Sequence, residues 1–251
     1  MDMSGIAAVV TGGGSGLGAA AARALAQRGA KVTILDVSLD GAKAVAEEVS
    51  GLALACDVTQ ETAADVLDEA AAKHGTARVL VNCAGIAPSG RTVGRDGALP
   101  LAAYVKVINV NLIGTFNMLR LAAQRMAKLD RIGEERGVII NTASIAAYEG
   151  QIGQVAYASS KGGVVGMTLP AARDLASLGI RVNSIAPGVF MTPMLMTVSE
   201  EYRQSLAAQV PFPARLGDPA EYASLVVHIV ENGMINGTTM RLDGALRMGP
   251  R

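Results

Sequence analysis

The chain is short of cysteine and histidine, with two of each in 251 residues, and it carries no tryptophan. The two cysteines, Cys56 and Cys83, stand at the ends of apolar, strand-like runs, and neither CxxC nor Cys/His metal spacing surrounds them. This predicts two buried reduced thiols rather than a disulfide frame, and a reducing, cytoplasmic compartment. His74 and His228 lie far apart on predicted helices, so no metal site is expected. Charge of one sign is missing too: 22 Lys and Arg balance 22 Asp and Glu. A chain without net charge has no general attraction for nucleic acid or anionic lipid. No apolar run reaches the ~18 to 20 residues of a membrane span. The opening MDMSGIAAVVTGGG runs almost directly into a strand pattern, so no leader peptide is expected.

What is present is a regular alternation. Short β-rich runs at 6–11, 31–36, 52–57, 78–85, 137–144, 180–188 and 238–244 are separated by Ala- and Leu-rich stretches of helical spacing. Strand-helix-strand alternation predicts βαβ units, hence a doubly wound parallel sheet of about seven strands, an α/β Rossmann fold. Nothing resembling a linker or a repeat divides the chain, so residues 1–251 read as a single domain. Long helices are expected over 101–128 and 154–178. Two polar or Met-rich loops, 87–100 and 187–200, follow strand ends, where ligands sit in open α/β sheets, although mobile surface connections would have the same composition.

After the first strand, Thr11-Gly-Gly-Gly-Ser-Gly-Leu-Gly18 opens a helix. Glycines there allow a tight turn and a close approach of backbone to a pyrophosphate, held by free N–H groups and the helix dipole. Gly12, Ser15, Gly16, Leu17 and Gly18 are therefore candidate cofactor contacts. The second strand ends at Asp36, where a carboxylate accepts from ribose hydroxyls and repels the extra phosphate of NADP, so the cofactor is predicted to be NAD. An Asp capping the following helix is the other reading of that position. Asp57 and Val58 after the third strand are candidates to meet the adenine. Asn82, Ala84 and Gly85 after the fourth are candidates for the cofactor floor, with a plain strand-end turn as the competing reading.

Hydride transfer needs a group that exchanges the hydroxyl proton and a donor that polarises the carbonyl. Tyr157 and Lys161, four apart on a predicted helix, share one face. Bringing a tyrosine from ~10 to about 7 takes ~4 kcal/mol, part of which a neighbouring ammonium supplies. Ser144, ending the fifth strand, is placed to donate to the substrate oxygen.

With these residues in this order, the chain resembles the short-chain dehydrogenase/reductase family over its whole length. The resemblance covers the Thr11 to Gly18 turn, the Asn82 to Gly85 motif with Cys83 replacing an Asn, and the Ser144, Tyr157, Lys161 set. It implies that Asn111 is a fourth catalytic residue, holding a water that links Lys161 to solvent; a helix-interior Asn satisfying backbone groups fits the same position. It further implies that Pro187, Gly188, Val189 and Thr192 line the nicotinamide end of the site. The segments 150–175 and 211–248 resemble the family members that act on 3-hydroxyacyl-CoA thioesters. They imply NAD-dependent, reversible oxidation of short, including 2-methyl-branched, 3-hydroxyacyl-CoA to 3-ketoacyl-CoA in lipid metabolism, and a homotetramer. On this reading Gln154 joins Ser144 and Tyr157 as a substrate contact, and Arg91 and Arg95 in the polar loop meet coenzyme A phosphates or are solvated surface charge. Reduction of 3-oxoacyl groups on acyl carrier protein, or oxidation of hydroxysteroids in the greasy loop of Met191, Met194, Leu195 and Met196, uses the same catalytic set. A nucleotide-binding scaffold subunit is the non-enzymatic alternative.

Overall fold

The computed structural model describes residues 1–196 and 199–250, the side chain of Met194 excepted. In chain order the elements are β1 (Ala7–Thr11), α1 (Gly16–Gln27), β2 (Lys31–Asp36), α2 (Leu39–Glu48), β3 (Leu52–Ala55), α3 (Ala63–His74) and β4 (Val79–Asn82). A two-residue hairpin, β5 (Val93–Gly94) and β6 (Gly97–Ala98), then leads into α4 (Leu101–Ile108), a π-helical turn (Asn109–Ile113) and α5 (Gly114–Met126). The second half holds β7 (Gly137–Thr142), α6 (Val155–Ala176), β8 (Ile180–Pro187), α7 (Pro193–Met196), α8 (Glu200–Ala207), α9 (Pro219–Glu231) and β9 (Thr239–Leu242).

Seven strands form one sheet in the order β3-β2-β1-β4-β7-β8-β9, and every pair is parallel. Its strands are apolar on both faces because helices cover both. Val10, Val81, Ile140 and Ile185 face α1 and α9, where Ala22, Leu25, Tyr222 and Val226 meet them. Their neighbours Val9, Leu80, Ile139 and Val182 face α3, α5 and α6, against Leu67, Met118, Leu121 and Ala172. Each such side chain contributes about 1.5–3 kcal/mol by leaving water, so the sheet is anchored from both sides. Among the described residues no helix is long and apolar enough to cross a membrane.

Strand order reverses between β1 and β4, and the crevice beyond their carboxyl ends is the ligand position of such sheets. The predicted strands end earlier than expected there. Ladder pairing stops at Asn82 and Thr142, leaving Cys83, Ala84, Gly85 and Ser144 outside the sheet. Cys56 likewise lies just beyond β3. Both cysteines are free, and Cys83 is half-buried rather than buried. The helix expected over 101–128 is broken at its middle by the π-helical turn, and the expected irregular loop 87–100 contains the hairpin.

Candidate functional site

Ser15 stands in the N-cap position of α1 without a side-chain cap bond, and the first turn holds no acidic residue, so the first N–H groups of this 12-residue helix face the crevice uncapped. That is an anion-receptive end. The turn before it is tight at two points. A Cβ on Gly12, whose φ is +61°, would sit 2.6 Å from Ala84 N, and one on Gly18 would sit 2.2 Å from Gly12 O. Backbone therefore lines this cradle where any side chain would fill it. Gly16, the first residue of α1, approaches Thr192 and Pro193, so the Gly-rich turn and the 187–200 segment meet across the crevice. Leu17 is half-buried against the core beneath. The residues present fit a dinucleotide.

Asp36 turns toward the same place. Its Oδ2 accepts from Gly14 N at 3.0 Å and its Oδ1 from Ser38 N at 3.0 Å. Ser38, not Asp36, caps α2, accepting from Gly41 N. The Asp36 carboxylate thus ties the Gly-rich turn to the second strand end and keeps further lone pairs. Asp57 is exposed, and its Oδ1 accepts from Thr59 N and Thr59 Oγ1 at 2.9 and 2.7 Å, bonds that hold its carboxyl below the usual range. Val58 sends its side chain into the core against Gly114, so only its backbone can face a ligand.

Asn82 is held from its side chain. Its side chain is buried inside the sheet layer, donating to Asn141 Oδ1 at 2.9 Å and to Thr115 O at 3.5 Å, and accepting from Thr11 Oγ1 at 3.4 Å. The side chain stitches three strand ends together, so only the Asn82 backbone can face the crevice. Thr11 Oγ1 accepts in turn from Cys83 N and Ala84 N, which bends the chain out of the sheet so that Gly85 reaches Asn111 and Lys161.

Ser144, Tyr157, Lys161 and Asn111 converge on one site from the β7 end, α6 and the π-helical turn. Lys161, 5 % exposed, donates from Nζ to Thr142 O at 2.6 Å and lies 5.8 Å from the centre of the Tyr157 ring. Ser144 Oγ accepts from Ala146 N at 3.1 Å, which aims the hydroxyl out of the β7 end. Burial lowers the Lys161 ammonium to about 8. Burial also raises Tyr157, opposed by a hydrogen bond from the Ser144 side. Burial is thus the larger of these two influences on Tyr157; the sequence reading placed part of the opposing pull in the Lys161 ammonium and more in the positive nicotinamide ring.

Asn111 is fully buried at the π-helical turn. Its Oδ1 accepts from Ile86 N at 2.8 Å while Nδ2 donates to Ile86 O and to Ser160 Oγ at 2.9 and 3.0 Å. Both of its N–H groups are spent, and one Oδ1 lone pair is left for a water. Pro187 ends β8, and Gly188 packs so closely on Asp243 that a Cβ there would lie 2.9 Å from the Asp243 Cα. Val189 packs with Ile145, Val210, Leu246 and Met248 beside Ser144.

On the open side, a cleft of about 480 Å³ lies between the hairpin loop and the residues before α6, lined by Arg91, Val93, Gln151, Ile152, Gln154 and Val155. Gln154 Oε1 accepts from Gln151 N, leaving its amide N–H groups for a ligand. Arg91 lines the cleft and Arg95, at the hairpin tip, does not. Met191 and Met196 are exposed, Leu195 is half-buried, and the Met194 side chain lies outside the described residues.

Three supports escaped the sequence reading. Asn117 donates to Val58 O and Gln60 O, fixing the β3 end. Arg241 pairs both oxygens of Glu149 at 2.6 and 2.8 Å and also meets Asp243, which draws the C-terminal tail over the Ser144 segment. Tyr222, fully buried, reaches Thr142 and Cys83. None has a local motif.

The family model of the short chain dehydrogenases matches residues 6–203. The chain belongs to that family. Similar proteins are named 3-hydroxyacyl-CoA dehydrogenase type-2. The one from Bos taurus is 52 % identical over 99 % of this chain and 98 % of its own length. The one from Homo sapiens is 50 % identical over the same shares. A crystal structure of a 3-hydroxyacyl-CoA dehydrogenase type-2 from Mycobacterium avium superimposes with a TM-score of 0.93 at 44 % identity, covering 98 % of both chains. This short chain dehydrogenase is accordingly an oxidoreductase acting on CH–OH groups, in a family whose members use NAD or NADP.

Proposed function

We propose that this enzyme oxidises short-chain 3-hydroxyacyl-CoA, 2-methyl-branched esters included, to 3-ketoacyl-CoA with NAD, reversibly. The observation that carries the reading is the convergence of Tyr157, Lys161 and Ser144 beside an uncapped helix end and a carboxylate at Asp36, in a chain about half identical to enzymes named for this substrate. A bound oxidised nicotinamide would supply the acceptor for the carbinol hydride and a positive charge that favours the Tyr157 phenolate.

Tyr157 Oη takes the carbinol proton. Ser144 Oγ–H donates to the substrate oxygen, the carbonyl oxygen of the product. Lys161 holds a ribose hydroxyl and, titrating near 8, passes the proton outward toward the Asn111 water. Gly12, Ser15, Gly16, Leu17 and Gly18 hold the pyrophosphate, and Asp36 the adenosine ribose. Asp57 and Val58 meet the adenine, Ala84 and Gly85 form the floor, and Pro187, Gly188, Val189 and Thr192 hold the carboxamide end. Gln154 meets the thioester, and Arg91, on the rim of the cleft, meets a coenzyme A phosphate; Arg95, off the rim, is solvated. Exposed Ile113 and Phe116 on the π-helical turn and α5, with Leu169 on α6, support a homotetramer built through these helices.

The test is oxidation of NADH by acetoacetyl-CoA, run beside NADPH and beside the acyl carrier protein thioester. Fast turnover with NADH and the CoA ester is expected. Turnover only with the carrier-protein ester would move the substrate to fatty acid synthesis, and turnover with neither would reject the acyl substrate. Tyr157→Phe should lower turnover by ~10²–10⁴-fold with NAD binding kept; retained turnover would remove Tyr157 from the mechanism.

A further inference from the structure

Behind the catalytic group, on the opposite face of the sheet, Thr142 Oγ1 lies 2.6 Å from Asn82 O, 2.8 Å from Tyr222 Oη and 3.4 Å from Cys83 Sγ. Tyr222 Oη is itself 3.4 Å from Cys83 Sγ. Each of these three groups has one proton, so the contacts can be ordered. The Thr142 proton goes to the short carbonyl contact at Asn82. Tyr222 then donates to Thr142 Oγ1, and the thiol, the weakest donor, gives its proton to Tyr222 Oη. Every proton is used once, and the relay ends on a backbone carbonyl. Burial raises both the thiol and the Tyr222 phenol, which keeps them protonated donors at neutral pH.

Thr142 joins this cluster to the crevice through its own backbone. The carbonyl of the same Thr142 accepts from Lys161 Nζ at 2.6 Å. Thr142 ends β7, and past it the ladder gives way to the Ser144 turn, so its peptide is held on one side by the sheet and on the other by this hydroxyl cluster. We propose that Tyr222 is a positioning residue for the reaction: through Thr142 it fixes the carbonyl that holds Lys161, so that α9, on the far face of the sheet, orients the group that handles the proton. The proposal rests on the catalytic reading of Tyr157 and Lys161 above. The titratable groups beside Lys161 are Tyr157, from its own helix, and Cys83, from the β4 side; Asn111 next to it is neutral.

Tyr222→Phe keeps the ring and removes the hydroxyl, and Thr142→Val keeps the shape and removes the same bond from its other end. With 3-hydroxybutyryl-CoA and NAD, each should lower kcat by ~10-fold while the KM for the acyl ester stays within about twofold. A less securely held Lys161 loses its proton at lower pH and supports the phenolate less, so the rising limb of kcat against pH should move up by ~0.5 unit. The double variant should be no worse than Thr142→Val, since that substitution already removes the bond lost in Tyr222→Phe, together with the one to Asn82 O. Titration of Lys161 by nitrogen-15 NMR gives a readout independent of turnover, and in Tyr222→Phe its pKa should fall. An unchanged pH profile and Lys161 titration in a folded variant overturns the proposal, as do additive losses in the double variant. If Tyr222→Phe does not fold, the pH profile and Lys161 titration of Thr142→Val alone decide the matter: shifts in both support the proposal, and their absence overturns it. Failure of the underlying mechanism shows separately, as full turnover in Tyr157→Phe.

Discussion

Lys161 should cost this protein stability at neutral pH and return it in alkali. It lies 5 % exposed, and burial lowers its pKa from 10.5 to about 8. Each unit is worth about 1.36 kcal/mol, so the folded state is disfavoured by roughly 3 kcal/mol wherever the unfolded chain carries the proton and the folded one resists it. Between the two pKa values the unfolded state binds more protons, so stability rises with pH across that window. The cost is complete below about pH 8, has fallen to less than half near pH 9.5, and vanishes above about 10.5. Lys161→Met keeps the length and discards the charge. It should be inactive, and at pH 7 more stable than the wild type by roughly 3 kcal/mol in urea unfolding, the gap closing by about 2 kcal/mol at pH 9.5. A gap that does not change with pH, or a less stable variant at pH 7, would refute the reasoning that the ammonium is held at a cost for chemistry.

Removing the Asp36 carboxylate with Asp36→Ala should relax the preference for NAD over NADP by at least ~10-fold in kcat/KM, since a charge opposing the extra phosphate is gone; an unchanged ratio would reject its role. Gly12→Ala places a Cβ 2.6 Å from Ala84 N at a positive φ and should cost roughly 2–5 kcal/mol in urea unfolding and weaken NAD binding. Arg241→Met leaves the carboxylates of Glu149 and Asp243 with Arg247 alone, at 3.6 and 3.3 Å, and should lower stability by roughly 1–3 kcal/mol at pH 7. That loss should shrink as acid protonates Glu149, whose carboxyl the Arg241 bonds hold below the usual range.

Local sequence determined the parts of this protein that local chemistry controls. The alternation of apolar runs required helices on both faces of a parallel sheet, since a strand apolar on both sides must be covered on both. Gly12 to Gly18 after such a strand could serve little but a close backbone approach, and four-residue spacing put Tyr157 and Lys161 on one helix face. What the sequence left open are matters of distance across the sheet. Asn82 read as a cofactor contact because it sits in a motif at a strand end, and only the fold shows that its amide turns inward to Asn141 and Thr11, which leaves its backbone for the crevice. Asn111 read as part of a continuous helix, and its bonds to Ile86 and Ser160, at the π-helical turn, join residues 25 and 49 positions away. Arg241 met Glu149, 92 positions away, and Tyr222 met Thr142, 80 positions away, through the order in which strands lie in the sheet. No window of residues encodes such partners. The chain alone determined which groups could do the chemistry, and tertiary packing decided which were desolvated, which were spent on one another, and how Tyr157 and Lys161 are poised.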